Sequence, residues 1–245
     1  MPRKKLQPAI HPFDQTHGTD TSGLIPGTTI VQGTNAKVEE LTAYYGVAPS
    51  ILAGLIDHWL QQAHPKSPID RTVFLDVGAG KGRAILLASQ HPFLRVEGVE
   101  LNADLAAIAQ ANIDLWVEDP TANPLAPIEL HHADATLHPL PAEPTLAFLF
   151  HPFELPLLRR FLRHIEASRT NNPAPIDLIY ATAEHDSLLD HHPAFHRLWM
   201  GRVAMTPADH VADLAAIAEQ KEYGSTGDEL CGLYRYTGRT TKPSA

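Results

Sequence analysis

Residues 75–83, "LDVGAGKGR", set Gly78, Gly80 and Gly82 at alternate positions directly after an apolar run and the carboxylate of Asp76. Glycine accepts positive φ and lets a ligand approach backbone amides with no side chain between them. A tight strand-to-helix turn needs one or two glycines; three in alternation beside an acid point to binding. In a dinucleotide fingerprint, G-x-G-x-x-G, such amides face a pyrophosphate. Asp76, two residues before the first glycine, would repel that anion and attract an ammonium. The spacing Asp-x-Gly-x-Gly-x-Gly therefore selects a ligand with a cationic end, and an amino-acid moiety is the obvious candidate.

Two further acids stand at comparable places. "RVEGVEL" (95–101) brings Glu100 to the tip of a second strand, about 20 residues past the glycine loop, where a carboxylate can accept hydrogen bonds from ribose hydroxyls. Glu97, inside that strand, is the alternative, as a side-chain contact or part of an exposed face. "IELHHADAT" (128–136) brings Asp134 to the end of a third strand, either as acceptor for an adenine amino group or as a solvated turn aspartate. His131 and His132 before it read as one core-facing and one exposed strand residue. Together the three acids describe an adenosine carrying an amino acid.

A fourth apolar strand ends in "FLFHPFE", which presents His151, Pro152 and Phe153. The imidazole of His151 either orients an attacking nitrogen or oxygen, or takes a proton from it, or else caps the strand while its carbonyl holds the ligand's ammonium. Farther on, "EHDSLLDHHPAFH" gathers His185, His191, His192 and His196 with Asp186 and Asp190. It has neither H-E-x-x-H nor Cys/His finger spacing, so no metal site is expected there.

These groups need a scaffold, and the chain alternates strand and helix signals from residue 48 onward. "APSILAGLIDHWLQQA" places Ile51, Leu52, Leu55, Ile56, Trp59 and Leu60 at helical spacing. "RTVFLDV", "RVEGVEL", "IELHHAD", "TLAFLFH" and "IDLIYAT" read as strands. Between them lie helical stretches: "RAILLASQ", "ADLAAIAQANIDLW" capped by Asn102, and "ELPLLRRFLRHIEAS" with Leu158, Phe161, Leu162 and Ile165 on one face. That alternation predicts an α/β fold: a doubly wound, mostly parallel sheet with helices on both faces. The late runs "FHRLWMGRVAM" and "ELCGLYRYTG", separated by the helical "HVADLAAIAEQ", suggest an antiparallel addition at one edge. Residues 1–47 lack periodicity and read as an irregular N-terminal arm, with residues 48–245 as the domain. Leu24, Ile25 and Pro26 offer the arm a small apolar anchor. It either closes over a bound ligand, with Asp20, Thr21 and Ser22 reaching the site, or is a terminus with no part in binding.

In "FLDVGAGKGRAILLA", "VEGVELN", "HHADAT" and "LAFLFHPF", the chain resembles the class I S-adenosylmethionine-dependent methyltransferases, over roughly residues 50–245. The resemblance implies a seven-stranded sheet with only the last strand antiparallel. It implies S-adenosyl-L-methionine as cofactor, its methionine part against Asp76, Gly78, Ala79, Gly80 and Gly82. Glu100, beside Leu101, would hold the ribose, and Asp134, beside Ala135, would meet adenine. His151, Pro152 and Phe153 fall where many nitrogen-methylating members carry a polar–Pro–aromatic motif, His standing where Asn or Asp is usual. That departure leaves nitrogen and oxygen acceptors both open. "DTSGLIP" together with "GKGRAILLASQHPF" is similar to a group of mostly uncharacterised bacterial members and names no substrate. A dehydrogenase using NAD, and a cofactor-binding protein that has lost transfer, are the competing readings; the glycine spacing and Asp76 oppose the first.

Composition narrows the partners. The 245 residues carry a formal net charge of −9, which argues against a nucleic-acid-binding surface; "PRKK" at residues 2–5 is the only basic cluster. No apolar run is long enough for a membrane span, and the start has no apolar signal segment, so a cytoplasmic protein is expected. The single cysteine, Cys231, lies in a strand-like apolar run and suits a reducing compartment. The methyl acceptor is a small molecule or a protein, and nothing in the sequence chooses between them.

Overall fold

Strands β1 (Val73–Val77), β4 (Thr145–Phe150) and β5 (Ile176–Ala181) are buried almost end to end. Such strands are stable only where both faces of the sheet are covered. With β2 (Arg95–Glu100) and β3 (Ile128–His132) they form the parallel part of one sheet. The computed structural model describes residues 10–218 and 225–238; the basic cluster at 2–5 and positions 219 and 220 of the late helical stretch lie outside them. Two more strands, β6 (Phe195–Ala204) and β7 (Asp228–Tyr236), complete a seven-stranded sheet in the order β3-β2-β1-β4-β5-β7-β6. β7 runs antiparallel to both β5 and β6 and is inserted between them, so β6 takes the outer edge. The late addition is thus as expected in place, and only its last strand is reversed.

The order turns back between β1 and β4. There two neighbouring strands send their chains to opposite sides and open a crevice at their C-terminal ends. The glycine loop leaves β1 at that crevice, and His151–Phe153 leave β4 beside it.

Alternate strand residues feed two cores. Phe74, Val96, Leu146 and Phe148 pack with helices α3 (Pro49–Gln62), α4 (Arg83–Ser89) and α5 (Ala103–Glu118), which follow the arm's short α1 (Pro12–His17) and α2 (Gly27–Ile30). Leu75, Val77, Ala147 and Leu149 pack on the other face with α6 (Leu155–Asn171) and α7 (Asp186–Asp190). The fold is doubly wound, as the strand–helix alternation predicts. Asn102 caps α5 as expected, its side chain accepting from the amides of Asp104 and Leu105, both at 3.0 Å. Leu60 does not join the buried face of α3 and is 37% exposed. Four-residue steps drift by about 40° around a helix, and from Leu52 through Ile56 that drift carries Leu60 out of the stripe. Helix α8 (Pro207–Ile217) precedes β7. No helix among the described residues is long and apolar enough to cross a membrane.

The arm has no core of its own and borrows this one. Phe13 stacks on Trp116 of α5 at 5.5 Å, Ile25 bridges to Tyr44, and Leu41 bridges to Phe153 beyond β4. Residues between Ile30 and Val47 line the crevice.

Candidate functional site

The crevice is a cavity of about 550 Å³, within the roughly 300–1,000 Å³ usual for small-molecule sites. Its floor is the end of β1 and the loop after it, where Asp76, Gly78, Ala79 and Gly80 all line the space. Glu100 and Leu101 line it from the end of β2, Asp134 and Ala135 from beyond β3, and Pro152 and Phe153 from beyond β4. Gly82 and His151 are not among the lining residues. Gly82 is in the left-handed region (φ +92°) at the start of α4, and a Cβ there would meet Ala109 and Ile85 at 3.3 and 3.4 Å. Its neighbours are thus helix side chains, the packing role of a third glycine.

Asp76 is 3% exposed and, among the described residues, has neither a hydrogen-bond nor an ion-pair partner. Burial, with the Glu100 charge nearby, pushes its carboxyl up to about 8. A buried carboxylate without a cation is costly, so the group holds its proton until one arrives. Glu100 is equally buried but differently served. Its Oε2 accepts from the Gly80 amide and its Oε1 from the Asn102 amide, each at 2.7 Å. Burial raises its carboxyl against the pull of those amides. Each oxygen keeps a second lone pair for a ligand hydroxyl. Glu97 lies elsewhere, buried at mid-strand on Arg95 at 2.6 Å.

Asp134 divides its carboxylate. Oδ1 accepts from the Thr136 amide and hydroxyl at 2.8 and 2.6 Å, closing a turn, while Oδ2 stands 3.8 Å from Arg160. Both readings of this residue therefore have a counterpart: it shapes a turn, and it borders the cavity. His132 is exposed at the cavity rim and bonds the Leu101 carbonyl at 3.1 Å; His131 is half-buried near Glu97.

The arm supplies the facing wall, which sequence reasoning did not resolve into residues. Tyr44 lies over the glycine loop: a Cβ on Gly80 (φ +54°) would stand 2.2 Å from its ring. The space above Gly80 is thus filled by a protein side chain and is not open to a ligand. The Tyr44 hydroxyl donates to the Thr21 carbonyl at 2.7 Å, and Thr42 donates to the carbonyl of His151. Asn102 reaches the Ile30 carbonyl at 2.9 Å.

Asp20, Thr21 and Ser22 are not among the residues that line the cavity; their partners are Asp14, Lys81, Arg83 and Asn112. Asp14, 3% exposed, accepts from the hydroxyls of Thr19, Thr21 and Ser22 and from the Thr21 amide. Burial works against its charge, but those hydrogen bonds and Arg83 outweigh it and hold the carboxyl below its ordinary value. Arg83, 4% exposed, donates to the Thr21 hydroxyl at 2.7 Å and to the Gly46 carbonyl at 3.1 Å. Lys81 binds Asp20 and the Ser22 carbonyl, both at 2.8 Å. Lys81, between Gly80 and Gly82, and Arg83, directly after Gly82, thus hold the arm across the loop. A cation in the first turn of α4, where the helix dipole opposes it, was the signal in the sequence.

Beyond β4, His151 adopts φ +42° and is half-buried beside Tyr180, Glu184 and His185. Its Nδ1 lies 3.0 Å from the Tyr180 hydroxyl and its Nε2 3.6 Å from Glu184. Burial lowers its pKa, and the Glu184 charge opposes that shift. The His-rich stretch contributes one residue here: His185 Nε2 is 3.1 Å from Glu154. His191 and His196 are exposed. Cys231 is buried in β7 and burial pushes its thiol up to about 12, so it stays an inert core residue at neutral pH.

No family model and no curated protein matches this chain by sequence. Solved structures match it by shape. An RNA methyltransferase from Salinibacter ruber, in complex with S-adenosyl-L-homocysteine, is 17% identical over 79% of this chain and 95% of that one, with a TM-score of 0.42. The precorrin-6y C5,15-methyltransferase from Geobacter metallireducens is 17% identical over 76% of this chain and 87% of that one, with a TM-score of 0.46.

Proposed function

We propose that the chain is an S-adenosyl-L-methionine-dependent methyltransferase that moves a methyl group to a nitrogen or oxygen nucleophile of a small molecule or a protein. The observation that carries this reading is Asp76, a buried carboxylate on the cavity floor with no cation of its own. It suits the ammonium of the methionine part and opposes a pyrophosphate. Glu100 then takes the ribose and Asp134 the adenine, each at the end of its own strand. Gly78 and Ala79 carry the methionine part against backbone, with Tyr44 packed over Gly80 beside them, and Leu101 and Ala135 flank the nucleoside. The sulfonium is electrophilic enough that the enzyme's main task is to align acceptor, methyl and sulfur. Pro152 and Phe153 border the cavity where that acceptor would enter.

Of the 1–47 arm, residues between Ile30 and Val47 serve in this reading as a wall of the cofactor site of the 48–245 domain. A net charge of −9 supports an acceptor other than nucleic acid, and the single buried thiol supports a cytoplasmic setting. Calorimetric titration with S-adenosylmethionine, S-adenosylhomocysteine and NAD tests the proposal. Binding of the first two and not the third is expected; NAD binding alone would overturn it.

A further inference from the structure

Within the run His151–Glu154 the two middle residues border the cavity, while the outer two turn to His185. His151, Glu154 and His185 each offer one donor atom, and the three atoms lie within 4.8 Å of one another. From this geometry we infer a binding site for a divalent transition-metal ion, held by two imidazoles and one carboxylate beside the acceptor end of the cavity. Two histidines and a glutamate form a zinc-type donor set that keeps a position open, with ligand distances of about 2.0–2.2 Å.

Four observations support it. Glu154 stands at the N-cap position before α6, yet its side chain does not cap that helix and instead lies 3.1 Å from His185 Nε2. Tyr180 holds Nδ1 of His151 at 3.0 Å, which leaves Nε2 as the donor and fixes the ring as an outer hydrogen bond fixes a metal-bound imidazole. The carboxylates of Glu154 and Glu184 have only histidine partners; among the described residues no lysine or arginine pairs with either. The Glu154 side chain is 42% exposed, so it can move onto an ion, and Glu184 adds negative charge beside it. The other set of this kind, Glu97, His131 and His138, differs in that Glu97 is already neutralised by Arg95.

The ion's part in catalysis rests on the methyltransferase reading; the site itself does not. In that reading an acceptor hydroxyl bound at the open position releases its proton to solvent. Its oxygen bonds to the methyl carbon as the carbon–sulfur bond breaks, and that electron pair returns to sulfur.

Calorimetry with zinc on chelator-stripped protein tests the site, with S-adenosylhomocysteine titrated in parallel and folding followed by thermal melts. The wild type should take up one zinc more than His185→Ala, and Glu154→Gln should lose the same equivalent, with cofactor affinity kept in both. Tyr180→Phe, which removes only the supporting hydrogen bond, should weaken zinc about tenfold. Equal zinc uptake by wild type and folded His185→Ala overturns the site. Zinc uptake as expected without any cofactor binding would uphold it and sink the methyltransferase reading instead.

Discussion

At the scale of single residues, Asp76 makes the sharpest demand, because its chemistry depends on pH in a calculable direction. With its carboxyl near 8 in the folded chain, most of it is protonated at pH 7. An ammonium binds the ionised form, so affinity for S-adenosylhomocysteine should rise from pH 6 to 8, by up to about tenfold per unit. The same shift bears on folding. An unfolded aspartate releases its proton near pH 4, so this group's contribution to stability falls as pH rises from about 4 to about 8. Asp76→Asn should flatten both profiles and weaken binding, measurable by calorimetry and denaturant unfolding across pH. An affinity that ignores pH in the wild type would remove Asp76 from the ligand. That Asp76, Glu100 and Asp134 border one space was legible, because each acid sits at a strand end and strand ends of a parallel sheet converge. The occupant of the space over Gly80 was not legible: Tyr44 comes from a stretch without periodicity, and only the fold brings it there. His151 and His185 were both noticed, but their meeting depends on β4 and β5 being neighbours.

Among the elements, the arm departs most from expectation. Its sequence leaves open a segment that closes over a ligand and a terminus with no part in binding; Phe13, Asp14 and Thr21 are buried against α4 and α5. Arg83 joins the two halves: it holds Thr21 and Gly46 from the first turn of the helix that follows the glycine loop. Removing it should leave Asp14 buried without its cation and loosen the wall that carries Tyr44. Arg83→Ala should therefore speed amide exchange across residues 13–22, with the protein still folded. It should also raise the dissociation constant for S-adenosylhomocysteine about tenfold or more, since an unpaired wall must be ordered again on binding. Unchanged exchange there would make Arg83 a bystander. The strands that frame the loop were readable because their apolar runs are short, uninterrupted and bounded by turn residues. The arm was not, since its order comes from hydrogen bonds to Asp14 and Arg83, and these leave no periodic trace.

For the whole molecule, strand order is what composition and periodicity leave undetermined. A reversed strand near the end was foreseen; its insertion between β5 and β6 is a matter of long-range pairing. One buried group links the distant parts. Asp177, second residue of β5, accepts from Arg235 of β7 through both oxygens at 2.7 Å and from the indole of Trp59 in α3 at 2.9 Å. Arg235 also donates to the carbonyl of Ala63, just past α3, at 3.1 Å. This fork-to-fork pair lies at the opening of β5, whereas the cavity is built around the C-terminal ends of β1, β2 and β4. Asp177→Asn keeps the indole bond but leaves the guanidinium, largely out of water, without its counter-charge. Breaking such a pair costs about 3–5 kcal/mol, a large share of the roughly 5–15 kcal/mol that holds a domain together. Urea unfolding should show that loss as a lower midpoint, while the dissociation constant for S-adenosylhomocysteine stays within about twofold at low denaturant. A weakened affinity in the folded variant would mean that the far end of β5 and the cavity are coupled. A midpoint left in place would mean that water replaces the guanidinium's partner at little cost.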